Sequence, residues 1–226
     1  MNGSQNQRIL GEYMPHIDFS VNGEKWPSAT ELTNLLPQPW LWAWFKSSVF
    51  KHGKWGWQLC KAQSKRGMAI GSEVHGLLES FIKKNDYNEL IGKDKYDSQI
   101  IADALFDKVN PLVDEWVAIE PHLKSEELKI QGTADAIVRM NLTPGLVLLD
   151  WKTSAQKSET HPIQLAIYAR LWSEMHPDQQ IDQGIIARVD KKSKRLTVKL
   201  DEYKGLKQYY PIIDALKIIW DYTYAK

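Results

Sequence analysis

Apolar positions in this chain recur at helical spacing in its first half, at strand spacing in the middle, and at each in turn toward the end. Residues 1–15 show neither period and read as a flexible tail. Asn22-Gly23 reads as a turn. Ser28 followed by Glu31 has the spacing of a capping box, which starts a helix at Ala29 that stops near Pro37 or Pro39. A tryptophan-rich segment follows, helical in parts and interrupted around Gly53 and Gly56. From Gly71 the helical period is clear: Val74, Leu77, Leu78 and Phe81 form a stripe, with His75 and Glu79 beside it one turn apart. A second helix is predicted over about 96–119, bent at Pro111.

The period then falls to two. Leu128, Ile130, Ala134, Ala136, Val138 and Met140 alternate with Lys129, Gln131, Thr133, Asp135 and Arg139, as along a strand. Pro144-Gly145 marks a turn, and the apolar run 146–149 has the look of a central strand. Pro162 suits the first turn of a helix that runs to about Met175. Strands near 184–189 and 195–200, around a Lys-Lys-Ser-Lys turn, precede a C-terminal helix. The expected class is α/β: a small mixed central sheet with an antiparallel hairpin, flanked by helices. With 226 residues, one domain is expected over 16–226, a helical, tryptophan-rich elaboration at 16–70 and a core at 71–226.

Composition narrows the chemistry. No apolar run approaches the roughly 20 residues of a membrane-spanning helix, and the first fifteen residues hold no secretory signal, so a soluble cytoplasmic protein is expected. The single cysteine, Cys60, excludes an internal disulfide, a four-cysteine zinc site and a cysteine-ligated iron–sulfur cluster. Cys60 itself reads as a small buried hydrophobe. The net charge is only +1, but its distribution is uneven. Between Leu32 and Ser72 there is no acidic residue, while Lys46, Lys51, Lys54, Lys61, Lys65 and Arg66 are all basic. Trp40, Trp42, Trp44, Trp55 and Trp57 share that stretch. Tryptophans mostly fill cores, yet aromatic platforms in a basic groove are what single-stranded nucleic acid requires. Lys65-Arg66 is the best phosphate-contact pair; its plainer reading is a solvated pair of charges.

The hairpin over 128–153 carries the sharpest signal. Directly opposed residues of an antiparallel pair share one index sum, and taking Asp135 and Asp150 as partners puts the fold-back between Leu142 and Thr143, inside the predicted turn. Their Cβ atoms would lie roughly 5 Å apart on one face. Two carboxylates that close repel unless a proton or cation lies between them, and a divalent cation with oxygen ligands resolves the conflict. Lys152 points to the same side as Asp150 and can hold a phosphate oxygen there. A partly buried Asp–Lys ion pair is the plainer alternative.

Three motifs in order, Gly132-Thr-Ala-Asp135, then Leu148-Leu-Asp150-Trp-Lys152-Thr-Ser154, then Gln164-Leu-Ala-Ile-Tyr168, resemble the PD-(D/E)XK nuclease superfamily. The closer likeness is to its RecB-like exonuclease branch, which includes phage nucleases and the mitochondrial genome maintenance exonuclease. Gly71-Ser-Glu-Val-His75 matches that branch's helical histidine motif, and Glu120 with Ser125 matches its Glu-x-x-x-x-Ser pattern. The naming proline is replaced by Ala134. The resemblance implies a restriction-endonuclease-like core and one or two Mg²⁺ or Mn²⁺ ions. It implies Asp135, Asp150, Glu120, His75 and the Trp151 carbonyl as ligands, with Lys152 assisting. Gln164 and Tyr168 would line the site and hold Lys152 or the substrate backbone; Glu126 and Glu127 would be solvated.

The implied activity is hydrolysis of DNA phosphodiesters, by an exonuclease preferring single strands or free ends, in replication, recombination or repair, with a protein partner from those processes. The small format would suit a phage or mobile element. Two rivals stand beside it: a catalytically inactive nuclease-fold subunit that binds DNA ends, and an unrelated metallohydrolase of small phosphoesters. The basic aromatic stretch argues against the second.

Overall fold

A five-stranded mixed sheet organises the chain in this computed structural model, which describes residues 20–21, 24–84, 93–190 and 196–224. The tail at 1–15, the Asn22-Gly23 turn and the Lys-Lys-Ser-Lys turn fall outside those residues.

A short pair, β1 (Ser20–Val21) and β2 (Glu24–Lys25), comes first. Helix α1 (Ala29–Thr33) starts where the capping box places it: the Glu31 N–H donates to Ser28 Oγ (3.1 Å) and the Ser28 N–H to Glu31 Oε2 (2.9 Å). Pro39 opens α2 (Pro39–His52), a single 3₁₀ turn (Gly53–Trp55) interrupts it, and α3 (Gly56–Lys84) follows. Ser48 Oγ donates to the Gly56 carbonyl (3.0 Å), and a Cβ on Gly56 would meet the Ser48 carbonyl oxygen at 2.5 Å, so the two helices cross this closely only at a glycine. Helix α3 begins fifteen residues before the predicted Gly71. Residues 61–69 of it are exposed or half-buried, so no apolar stripe announces them.

Helix α4 (Lys93–Val109) ends in a 3₁₀ turn (Asn110–Leu112), and β3 (Val113–Ile119) follows. The helix predicted through 119 is thus a helix and a strand. Pro111 cannot donate its N–H into a continuing helix, and Val113, Trp116, Val117 and Ile119 beyond it suit a pleated surface. The remaining elements are β4 (His122–Ser125), β5 (Ile130–Thr133), β6 (Ala136–Met140), β7 (Thr143–Lys152), α5 (His161–Met175), β8 (Ile181–Asp190), β9 (Thr197–Lys204), a 3₁₀ turn (Leu206–Tyr209) and α6 (Tyr210–Tyr224).

The main sheet has the order β3-β6-β7-β8-β9, antiparallel except for the parallel pair β7–β8 that α5 connects. Strands β4 and β5 pair separately, so the strand expected over 128–140 is broken at Ala134-Asp135. Alternation along the central strands sends side chains to two cores. Ile137, Leu148 and Ile186 meet Leu165, Tyr168, Ile213 and Trp220 of α5 and α6 on one face. Val138, Leu149 and Ala187 meet Val74, Leu78 and Leu105 of α3 and α4 on the other. Each large aliphatic side chain so buried contributes roughly 1.5–3 kcal/mol. Cys60 is fully buried, as expected. None of the described helices is long and apolar enough to cross a membrane.

Candidate metal centre

The corner where two strands leave the main sheet builds the site. Ile119 opposes Ala136 on one side of the corner and His122 opposes Thr133 on the other, so Glu120 stands opposite Asp135. The Glu120 N–H donates to the Asp135 carbonyl (2.9 Å). Glu120 adopts a left-handed backbone (φ 50°), which costs a residue with a side chain roughly 1–2 kcal/mol. The next pairing sets the second carboxylate. Ala136 opposes Leu149, which places Asp150 opposite Asp135 in the register read from the sequence. The turn itself lies at Asn141-Leu142, and β7 absorbs the extra residues in an irregularity around Gly145, whose φ of 81° suits glycine.

Asp135 is held from two directions: its Oδ1 lies 3.0 Å from His75 Nδ1, and its Oδ2 accepts the Trp151 N–H at 2.6 Å. Asp150 faces Lys152, whose Nζ lies 2.7 Å from Asp150 Oδ2, so the buried carboxylate is held in an ion pair. His75, Glu120 and Asp135 offer ligand atoms all within 4.8 Å of one another. Asp150 lies outside that group, paired with Lys152. One imidazole nitrogen and two carboxylates whose ligand atoms converge this closely fit a divalent cation. The donor set singles out no particular metal. Trp151 contributes its N–H to Asp135, and its ring is buried beside Trp116.

Charge and burial explain the site's acidities. Burial would raise the Asp135 carboxyl, but the His75 charge and hydrogen bond, Lys152 and the Trp151 N–H outweigh it and hold it below the usual range. Burial lifts Asp150 to about 6 against the pull of Lys152, with Asp135 adding to the rise. Burial and then the Asp135 charge lift Glu120 to about 7. For His75, burial is outweighed by Asp135, and the ring rises to about 9. The Lys152 ammonium, despite burial, is raised by Asp150 and Asp135. Gly71, Ser72, His75, Gly76, Glu79 and Glu120 line an open cleft of about 440 Å³ beside these groups. Glu79 was not anticipated at the site, although its place one turn after His75 is a sequence signal.

The other expected residues divide. Gln164 Nε2 donates to the Tyr168 hydroxyl (3.3 Å), as their i, i+4 spacing suggested. Tyr168 is only 5% exposed, so its ring belongs to the core beneath Gln164. Burial and the nearby Asp150 charge keep its phenol protonated. The glycine of the first motif serves this packing: a Cβ on Gly132 would meet Tyr168 Cε1 at 2.9 Å. Lys65 is exposed, but Arg66 is turned to Asp97 (3.3 Å). Trp44 and Trp57 pack about Phe45, with ring centroids 5.1 and 5.0 Å away, while Trp40, Trp42 and Trp55 are exposed. Glu126 and Glu127 are exposed, as expected.

Two further residues escaped sequence reasoning. Arg188 pairs with Asp201 and donates to the Ala155 carbonyl, tying down the loop after Lys152. His161 is buried at the start of α5, with Nδ1 accepting the Ser158 N–H (3.5 Å). Burial, reinforced by Lys152, depresses this imidazole to about 4, with Arg188 and Lys157 acting the same way and Asp201 opposing. Between pH 6.5 and 4 the unfolded chain therefore binds a proton that the folded chain does not, so stability falls as pH falls through that window. His161→Asn is expected to remove this component. In denaturant titrations at pH 7.5 and 5.0, the wild type should lose about 2 kcal/mol more than the variant. Equal losses would show that His161 is protonated without penalty.

No protein-family model matches the chain, and no curated protein matches it. Among solved structures, the chain is similar to one described as "Crystal structure of SSO0001", at 18% identity over 96% of this chain and 87% of that one, with a TM-score of 0.43. A likeness at that level carries no functional weight.

Proposed function

We propose that the protein is a metal-dependent deoxyribonuclease of the PD-(D/E)XK type, an exonuclease that hydrolyses phosphodiester bonds at DNA ends and prefers single strands. The observation that carries this reading is the opposition of Asp135 to Asp150, with Lys152 on the same strand and His75 and Glu120 closing around Asp135. The motif order from His75 to Tyr168 and the parallel β7–β8 crossover support a nuclease core.

Asp135, Glu120 and His75 would hold Mg²⁺ or Mn²⁺, with Asp150 adjoining. The ion would neutralise charge on the scissile phosphate and acidify an attacking water. Asp135 is kept ionised by His75 and the Trp151 N–H, so a negative ligand stands ready at neutral pH. Lys152 offers an ammonium to a phosphate oxygen, positioned by Asp150. His75 shares its proton with Asp135, and ligation through that nitrogen would release it.

The reading is tested by digesting end-labelled linear single- and double-stranded DNA, with circular DNA as control, in Mg²⁺, Mn²⁺ or EDTA. Metal-dependent shortening from the ends, absent on circles, is the expected result. Binding of DNA with no cleavage of any substrate would replace the enzyme with a non-catalytic DNA-end-binding module.

A further inference from the structure

Helix α3 joins the basic segment to the metal centre, and its geometry makes one feature of the two. Lys61, Lys65, Met68, Ser72, His75 and Glu79 follow one another at alternating spacings of four and three, so they form one stripe along a single helix face. Ser72, His75 and Glu79 line the cleft. Upstream of them Lys61, Lys65 and Met68 are exposed. At the helical rise, Lys65 lies about 15 Å and Lys61 about 21 Å along the axis from His75.

The two lysine charges on this stripe are unopposed. Neither Lys61 nor Lys65 has an acidic partner among the described residues; Lys61 Nζ lies 5.7 Å from the Trp57 ring centroid. The neighbouring charges on α3 are engaged elsewhere, Glu73 accepting from Ser98 Oγ (2.8 Å) on α4 and Arg66 pairing with Asp97. No acidic residue occurs anywhere from Leu32 to Ser72. At the far end, exposed Trp55 immediately precedes the helix.

We infer that this stripe is the approach track for a single-stranded polynucleotide, with Lys61 and Lys65 holding phosphates upstream of the one at the metal centre and Trp55 offering a stacking platform beyond them. The inference rests on the nuclease reading and adds the path by which the strand reaches the site. A strand lying along it would cover on the order of four nucleotides, the short end of the site sizes known for single-strand grooves. Aromatic platforms stack on unpaired bases, which selects a single strand over a duplex. The lysines make no sequence-specific contact.

The test compares the wild type with Lys61→Ala/Lys65→Ala and with Lys204→Ala/Lys207→Ala, a control of equal charge change at exposed positions on β9 and the turn after it. Binding of a labelled twelve-nucleotide oligothymidylate is followed by fluorescence anisotropy in EDTA across a salt series. Hydrolysis of bis(p-nitrophenyl) phosphate with Mn²⁺ reports the metal centre without the track. The stripe variant should bind about tenfold more weakly at 0.1 M salt, with the slope of log K against log salt reduced by about 1.4, while the control is unchanged. Both variants should hydrolyse the small diester at the wild-type rate. Equal loss of oligonucleotide affinity in the two variants would overturn the track and leave the nuclease standing. Tighter binding of a blunt duplex than of the single strand would also overturn it. Hydrolysis of the small diester by a wild type that binds no oligonucleotide would remove track and nuclease together, leaving a small-phosphoester hydrolase. Selective loss in the stripe variant, with a wild type that cleaves nothing, would keep the track and remove the enzyme.

Discussion

Asp135→Asn is expected to abolish Mn²⁺ binding and to lower DNA cleavage by at least about 10³-fold, equivalent to roughly 4 kcal/mol of lost transition-state stabilisation. Asp135 is the carboxylate on which the site converges: it touches His75 on α3 and the Trp151 N–H on β7, and its main chain is hydrogen-bonded to Glu120. Asparagine keeps the shape and retains an oxygen for the Trp151 N–H. It removes the charge that attracts a cation. The fold should survive, because losing the His75 ion pair is offset by relief of repulsion with Asp150. Thermal unfolding with and without Mn²⁺ separates these effects. At a concentration of 100 times its Kd, the ion should stabilise the wild type by about 2.7 kcal/mol and the variant not at all. A variant that still gains stability from Mn²⁺ and cleaves within tenfold of wild type would remove Asp135 from the site.

How far the site was legible from sequence depended on whether its geometry is local. Opposition of Asp135 to Asp150 follows from a short hairpin, where the index sum decides which residues meet. A turn at Asn141-Leu142 alone would set Asp135 opposite Leu148; the two extra β7 residues in the irregularity near Gly145 shift the register back and restore Asp150 as its partner. Opposition of Glu120 to Asp135 obeys the same arithmetic, but it shows only when 113–119 is a strand, and the apolar pattern there also fits a helix. The motif resemblance supplied Glu120; the strand pairing β3–β6 supplies the reason for its position. His75 was placed by resemblance on a helix whose apolar period is visible only from its buried half. The exposed half, with Lys61 and Lys65, has no apolar stripe of its own, so the hydrophobic pattern alone does not join it to the site. Arg188 reaches the Ala155 carbonyl through a parallel crossover, and no local signal encodes such a contact. Tyr168 was legible as a neighbour of Gln164; its burial was not, because it depends on how closely α5 approaches Gly132.

Lys152→Met should reduce cleavage by about 10²- to 10³-fold, the usual cost of losing one charge-stabilising donor, while changing oligonucleotide affinity by less than about threefold. The substitution also breaks an ion pair, so a loss of activity alone would not separate a catalytic lysine from one that only balances Asp150. Stability separates them. The Asp150 side chain is 3% exposed and that of Lys152 is 24% exposed, so removing the ammonium leaves a buried carboxylate unpaired. The cost should be roughly 2–4 kcal/mol, below that of a fully buried pair because Lys152 keeps some contact with water. Adding Asp150→Asn to Lys152→Met removes the stranded charge and should recover most of that loss in urea titrations. Because Asp150 itself adjoins the proposed ion, cleavage by the double variant is read against Asp150→Asn alone. If Lys152 acts on substrate, the double variant falls well below that single variant; if its role is only to hold Asp150, the two cleave equally. Retention of more than a tenth of wild-type cleavage by the single variant would place the phosphate-stabilising charge elsewhere.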